Sequence, residues 1–279
     1  MAFLLLGIAM CVWLLHGADY RAVLRIATTA GAGLAIIVVL RGVIIALGGL
    51  AWQRLLRSVS AAPVLSMIGL RTIGEAINVL LPVASVGGDV VRAMLLKSRG
   101  VAGGAAAAST LADVLLQAAA QALFLLIGLA LSLSFAGAGG LTRWAAAGLG
   151  IAALALGGFY VAQRFGGARL VERGLARLTR RWQGAGAASA IRLDAPLRAI
   201  YADRRAVGAA FALHEFGWMI GALETWLALR LMGMPVSASA ALVLESLARA
   251  VRAAGFPAPS GLGVQEGGYV AVGAALGIP

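Results

Sequence analysis

Long apolar runs set the pattern of this chain. Residues 27–50 form one, interrupted by Arg41, and residues 105–135 form another, carrying Asp113. Residues 144–163 make a charge-free run of 20, and residues 206–229 make a fourth with His214, Glu215 and Glu224. Each is near the ~20 residues that take a helix across hydrocarbon. Such runs do not alternate as barrel strands do, so helical spans are predicted. Residues 2–15 are a shorter, weaker run. No basic residue precedes it, which argues against a signal peptide and for a short first span or the inside of a longer helix.

Two further stretches are apolar but punctuated. The first, 64–98, breaks at Leu81-Pro82-Val83-Ala84-Ser85-Val86-Gly87-Gly88-Asp89. The second, 240–279, breaks at Phe256-Pro257-Ala258-Pro259-Ser260-Gly261-Leu262-Gly263. Proline removes a helix hydrogen bond and glycine frees the turn, so each segment is predicted to be two half-helices around a bent linker. Ahead of each break runs a matching polar stripe. Arg71, Glu75 and Asn78 fall at i, i+4, i+7, and so do Glu245, Arg249 and Arg252. Each break is followed by an acid, Asp89 in the first and Glu266 in the second. The correspondence reads as an internal repeat.

Basic loops give this repeat a direction. Ten arginines lie from Arg164 to Arg205, which places that loop in the cytoplasm. Arg54, Arg57, Arg92, Lys97 and Arg99 then read as inside, and Arg21 and Arg25 fall outside, against the rule. Three spans separate the broken segments, so the first enters from the inside and the second from the outside. The fold expected is all-α: a polytopic helical membrane protein with two Pro/Gly-broken re-entrant segments in an inverted repeat. The whole chain, 1–279, reads as one transmembrane domain. Its N-terminal spans occupy 1–60, the first broken segment plus a span 61–135, a span and a basic cytoplasmic loop 136–205, and a span plus the second broken segment 206–279. Within the loop, Val171, Leu175, Leu178 and Trp182 share a face opposite Arg169, Arg173, Arg177 and Arg180. That pattern predicts an amphipathic helix on the inner surface, as an orientation anchor or a lipid sensor.

Composition agrees with the spans. The chain is 61% hydrophobic and only 12% charged, far from the ~25% charged of soluble domains. Its net charge of +12 comes from 23 Lys+Arg against 11 Asp+Glu. In a membrane protein that excess points to anionic lipid rather than to nucleic acid. The single cysteine, Cys11, can form no internal disulfide.

Half-helix ends inside a bilayer leave backbone groups that only a protein-lined or wet cavity can satisfy. The helix starts after Gly87-Gly88 and after Gly263 carry partial positive charge suited to a phosphate or a polyol. The candidate substrate-binding residues are therefore Arg71, Glu75, Asn78, Asp89, Arg92, Asp113, Glu245, Arg249, Arg252, Ser260 and Glu266. A competing reading stands beside this one, because Arg71–Glu75 and Glu245–Arg249 are i, i+4 pairs that could neutralise each other within the fold. Asp113 sits alone in its span, to be paired with Arg92, with Arg99 or with a substrate. Arg41 reads as a snorkelling side chain, and Glu224 with Trp226 as an interfacial anchor. His214-Glu215 lacks the second histidine of a zincin, so no metal site is expected. No nucleophile elbow, Walker loop or dinucleotide fingerprint is present, so neither enzyme activity nor a cofactor is expected.

Asn78-Val-Leu-Leu-Pro82 through Gly87-Gly88-Asp89-Val-Val-Arg92 resembles the lysylphosphatidylglycerol synthase transmembrane, or flippase-like, family. Pro257-Ala-Pro-Ser-Gly-Leu-Gly263-Val-Gln-Glu266 does so too. With Glu224-Thr-Trp-Leu-Ala-Leu-Arg and Leu244-Glu-Ser-Leu, the chain looks like the hopanoid biosynthesis-associated branch, over roughly residues 60–279. The resemblance implies a multi-pass protein of the bacterial inner membrane that moves or presents lipids, either hopanoid or phospholipid. Its partners would be those lipids, with a homo-oligomer or lipid-synthesis enzymes also open. Relatives with lysyl-transfer activity carry it in a separate soluble domain, and they usually continue beyond the position of Gly277-Ile-Pro279 with another helix or more. The alternatives to a transporter are a scaffold acting through the 164–205 loop, an intramembrane enzyme using Asp89 or Glu266, or a flippase domain for an aminoacylated phospholipid.

Overall fold

The computed structural model describes residues 31–80, 87–132, 193–254 and 264–278, with single positions at 135, 150 and 157. Among these residues the protein is all-α, without strands. Its helices are α1 (Ala32–Leu56), α2 (Val64–Leu80), α3 (Gly87–Ser98), α4 (Gly103–Ser132), α5 (Asp194–Ala202), α6 (Arg204–Leu231), α7 (Ala238–Ala254) and α8 (Val264–Ala275). The predicted runs 2–15 and 144–163 and the predicted amphipathic helix at 171–182 lie outside the described residues.

Three helices, α1, α4 and α6, are long and apolar enough to cross a membrane, at 25, 30 and 28 residues. At 1.5 Å per residue, α4 reaches about 45 Å, more than a hydrocarbon core of about 30 Å. Their boundaries follow local chemistry. Asp203 caps α6, its carboxylate accepting from Ala206 N at 3.0 Å and from the Ser58 hydroxyl at 3.1 Å. Those donors hold the Asp203 carboxyl below the usual aspartate range. At the other end of α6, Gly233 takes φ 77°, and Met234 N–H closes a Schellman bond to Leu229 O at 2.9 Å.

The long helices pack by close contact along their lengths. Gly33 of α1 meets Leu231, Arg41 meets Glu224, Ile44 meets Gly217 and Ser58 meets Asp203, so α1 and α6 are antiparallel. Asp113 meets His214, Gln117 meets Trp218 and Leu125 clusters with Leu229, so α4 and α6 are parallel. These relative directions are the ones the basic loops predict.

Each punctuated segment folds back on itself. In the first hairpin, α2–α3, Met67, Leu70 and Leu96 share one cluster, and Arg99 Nη1 reaches Ser66 Oγ at 2.5 Å. In the second, α7–α8, Val251 touches Gly268 while Val243, Leu244 and Leu247 cluster with Val272. The base of the first hairpin packs on Val101, Ala105 and Ala106, at the start of α4. The base of the second packs near Leu131 and Phe135, at the end of α4. The central residues of α4 are thus left between the two tips.

The two arms of the first hairpin depend on one close approach. A Cβ at Gly88 would collide with the backbone oxygen of Gly74 and the amide oxygen of Asn78. Backbone cannot step aside as a side-chain end can, so Gly88→Ala is expected to destabilise the protein by about 1–3 kcal/mol. Gly69→Ala on the same hairpin, where a Cβ meets open space, serves as control. Thermal unfolding in detergent should show a lowered midpoint for the first variant and none for the second.

Candidate functional site

Helix α4 carries a polar line through apolar surroundings. Asp113, Gln117 and Gln121 recur every four residues, one face of the helix, with Gln117 close to its midpoint. Asp113 therefore does not stand alone in its span, contrary to the sequence expectation. It is fully buried, and three side chains converge on it. Arg71 Nη1 donates to Oδ2 at 2.9 Å, Arg92 Nη1 donates to the same oxygen at 2.7 Å, and His214 Nε2 lies 2.9 Å from Oδ1. Arg71 comes from α2, Arg92 from α3 and His214 from α6, so one carboxylate joins four helices.

The two guanidiniums are themselves shared. Arg71 Nη2 donates to Gln117 Oε1 at 2.7 Å and pairs with Glu75 Oε1 at 2.9 Å. Arg92 pairs with Asp89 Oδ1 at 2.9 Å, and its guanidinium lies 4.6 Å from the ring centre of Trp52, which bonds Ser109. A buried charge is tolerable only when paired and hydrogen-bonded, and this network provides both. Of the two partners expected for Asp113, Arg92 is the one observed. Arg99 sits at the base of the hairpin, on Ser66. Asn78 ties α2 to α3: its Oδ1 accepts from Gly88 N at 2.8 Å and so caps α3.

A second cluster forms beyond Gln117. Glu245 of α7 is buried and accepts from Arg249 Nε at 2.6 Å, from Thr225 Oγ1 of α6 at 2.7 Å and from the Tyr269 hydroxyl of α8. The Arg249 guanidinium lies 5.1 Å from the ring centre of Trp218, and that ring stacks on Phe124. Trp218 Nε1 donates to Gln117 O at 3.4 Å, and Gln121 Nε2 reaches Arg249 O at 3.5 Å. The polar line of α4 thereby joins the two clusters.

Both i, i+4 pairs weighed at the sequence level are formed. They do more than neutralise themselves, since Arg71 also reaches α4 and Glu245 also reaches α6 and α8. Arg252 lies in the last turn of α7, partly buried. Glu266 lies in the first turn of α8, and Ser260 lies outside the described residues. Arg71, Glu75, Asp89, Arg92 and Asp113 thus fall in the first cluster, and Glu245 and Arg249 in the second. Sequence reasoning missed His214, Gln117, Gln121, Thr225, Trp218 and Tyr269. The four-residue spacing of Asp113, Gln117 and Gln121 was a legible signal, whereas nothing local marked His214 as their partner. Arg41 does not simply snorkel, because its Nη2 pairs with Glu224 Oε1 at 2.8 Å, so Glu224 is tied to α1. Trp226 does sit near the end of α6, its Nε1 on Val236 O and Arg230 over its ring.

The family model described as the lysylphosphatidylglycerol synthase TM region matches residues 1–279. The chain belongs to that family. No curated protein and no solved structure matches it. Membership and the three apolar spans together make this synthase-TM-family chain an integral membrane protein of a lipid-related family. Among the described residues, no group of three or more His, Cys, Asp or Glu is arranged to hold a metal ion.

Proposed function

We propose that this member of the family is a flippase-like lipid transporter, which carries a lipid's polar end through the bundle while its apolar part stays in the bilayer. One observation carries the reading. Two helical hairpins pack at opposite ends of α4, and their ionic residues meet along Asp113, Gln117 and Gln121. Helix α3, at 12 residues, is about 18 Å long, too short to cross hydrocarbon, so the first hairpin enters and leaves on one side. The second hairpin, whose α8 is also 12 residues, does the same from the other side. Inverted elements that meet near a midplane are the arrangement from which alternating access is built. Arg71, Arg92 and Arg249 approach that meeting point, and rocking of the hairpins changes which side reaches it.

Orientation follows from where the cations lie. Arg54, Arg57, Lys97, Arg99, Arg198, Arg204 and Arg205 gather at the end of the bundle where α4 and α6 begin, and Arg230 lies at the other. The first end therefore faces the cytoplasm of a bacterial inner membrane. The cargo proposed is hopanoid or a related lipid. An aminoacylated phospholipid is the second reading, favoured by the family's description.

The test is movement of labelled hopanoid, phosphatidylglycerol and lysylphosphatidylglycerol across vesicles that hold the purified protein. Arg252→Ala and Glu266→Ala are expected to slow movement at least about tenfold without loss of folded protein, the scale of one lost charged contact. No movement of any of the three lipids above empty vesicles overturns the reading. Unchanged movement in both variants removes those two residues from the pathway.

A further inference from the structure

The charges around Asp113 have different owners. Arg71 carries its own acid, Glu75, and Arg92 carries Asp89, all four within the first hairpin. These four side chains balance one another without Asp113. Asp113 and His214 belong to α4 and α6, the long helices it packs against. In the observed state Asp113 is held by the two guanidiniums of the hairpin. Once the hairpin moves away, the carboxylate keeps only the imidazole.

We propose that His214 and Asp113 form a proton-binding site, so that disengagement of the first hairpin and uptake of one proton go together. The chemistry of the ring sets the proton's place. A carboxylate that accepts from two guanidiniums has no proton to give, so His214 Nε2 must carry the N–H that bonds Oδ1. The other ring nitrogen, Nδ1, is left to take a proton. While Arg71 and Arg92 are seated, their guanidiniums satisfy the Asp113 carboxylate and no further cation is needed beside it. With the guanidiniums gone, a lone carboxylate among apolar helices is costly. Protonation at Nδ1 places an imidazolium against it and restores neutrality.

The other charged groups on the neighbouring helices are held by partners of their own or lie away from the pair. On α1, Arg41 is held by Glu224 and Arg54 is exposed at the helix end. Helix α5 presents Leu193, Leu197 and Ile200 to the start of α4. On α7, Glu245 and Arg249 balance one another. On α6 itself, the adjacent Glu215, whose carboxylate has no hydrogen-bond partner, lies about 100° around the helix from His214. By linkage, the state that binds the proton is the state that falling pH populates. Acidification therefore opens the first hairpin, and alkaline conditions seat it on Asp113.

This rests on the lipid-moving reading only for its consequence, a proton coupled to transport. The experiment separates the two. Spin labels at Met94→Cys on α3 and Phe216→Cys on α6, both exposed positions, with Cys11→Ser, report hairpin separation in nanodiscs by electron double resonance. Between about pH 8 and about pH 5, across the usual range of histidine, the separation should shift to a longer population. His214→Gln, which keeps a donor to Asp113 but cannot take the proton, should abolish the shift. A chain with His16→Gln has His214 as its one histidine, so its ring ¹⁵N signals can be followed without altering the site. They should pass from the neutral Nε2–H form to imidazolium at the same midpoint. A pH-independent separation, an unchanged shift in His214→Gln, or a ring that titrates apart from the separation each overturns the proposal. A pH-dependent shift in a protein that moves no lipid overturns the transport reading and leaves the proton site standing.

Discussion

Asp113→Ala is expected to lower the stability of the folded protein by about 3–5 kcal/mol. The number follows from what the variant leaves behind, not from what the ion pairs add. Forming a buried pair is close to neutral, because the Coulomb gain offsets a similar desolvation cost. Removing one member strands the others. Here the strandees are two guanidiniums, with Arg71 and Arg92 side chains only 7% and 1% exposed. Their remaining acids, Glu75 and Asp89, are 39% and 26% exposed and cannot replace a carboxylate in the core of the bundle. Folded proteins carry about 5–15 kcal/mol in all, so the loss takes a large share. Glu75→Gln, at the wetter edge, should cost less than about 1 kcal/mol. Thermal unfolding and the yield of monodisperse protein in detergent measure both. Equal unfolding of Asp113→Ala and the parent protein would show that Arg71 and Arg92 reach water, and that no ionic clasp holds the first hairpin.

Glu245→Ala should cost about 3 kcal/mol and detach the second hairpin. Glu245 is the acceptor for donors on three helices: Thr225 on α6, Arg249 on α7 and Tyr269 on α8. Its loss leaves a largely buried guanidinium and two hydroxyls without that acceptor, and hydrogen bonds to charged groups are each worth about 1.5–3 kcal/mol. Tyr269→Phe and Thr225→Val each remove one donor and leave the carboxylate on Arg249, so about 1–2 kcal/mol apiece is expected. Hydrogen exchange in nanodiscs should show α8 losing protection in Glu245→Ala and largely keeping it in Tyr269→Phe. Uniform loss of protection over α1, α4 and α6 would mean that Glu245 supports the whole bundle rather than one hairpin.

The two variants also separate what was readable in the chain from what was not. The stripe Arg71–Glu75–Asn78 and its counterpart Glu245–Arg249–Arg252 follow from spacing alone. So does the presence of a break in each segment, because proline and glycine act on their own backbone. The choice of Arg92 over Arg99 for Asp113 does not follow from spacing. Arg92 lies within α3 and Arg99 just beyond its end, seven residues on, and only the way the hairpin folds back sets Arg92 against the middle of α4. Asn78 illustrates the same limit. It appears in the stripe as a substrate group, yet its amide oxygen is taken by Gly88 N.

Sequence by itself determined that the chain is helical and membrane-spanning, where the three long described helices run, which segments are interrupted, and in which relative directions those helices lie. These are local or additive properties: apolar length, backbone punctuation and loop charge act residue by residue. Tertiary structure alone decided that His214 and Asp113, 101 positions apart, share a hydrogen bond, and that Gln117 and Gln121 connect two ionic clusters. Periodicity tells which residues share a face of one helix. Which face meets which is set by the packing of all the helices together, and in an apolar medium that packing brings the few polar groups into contact with one another.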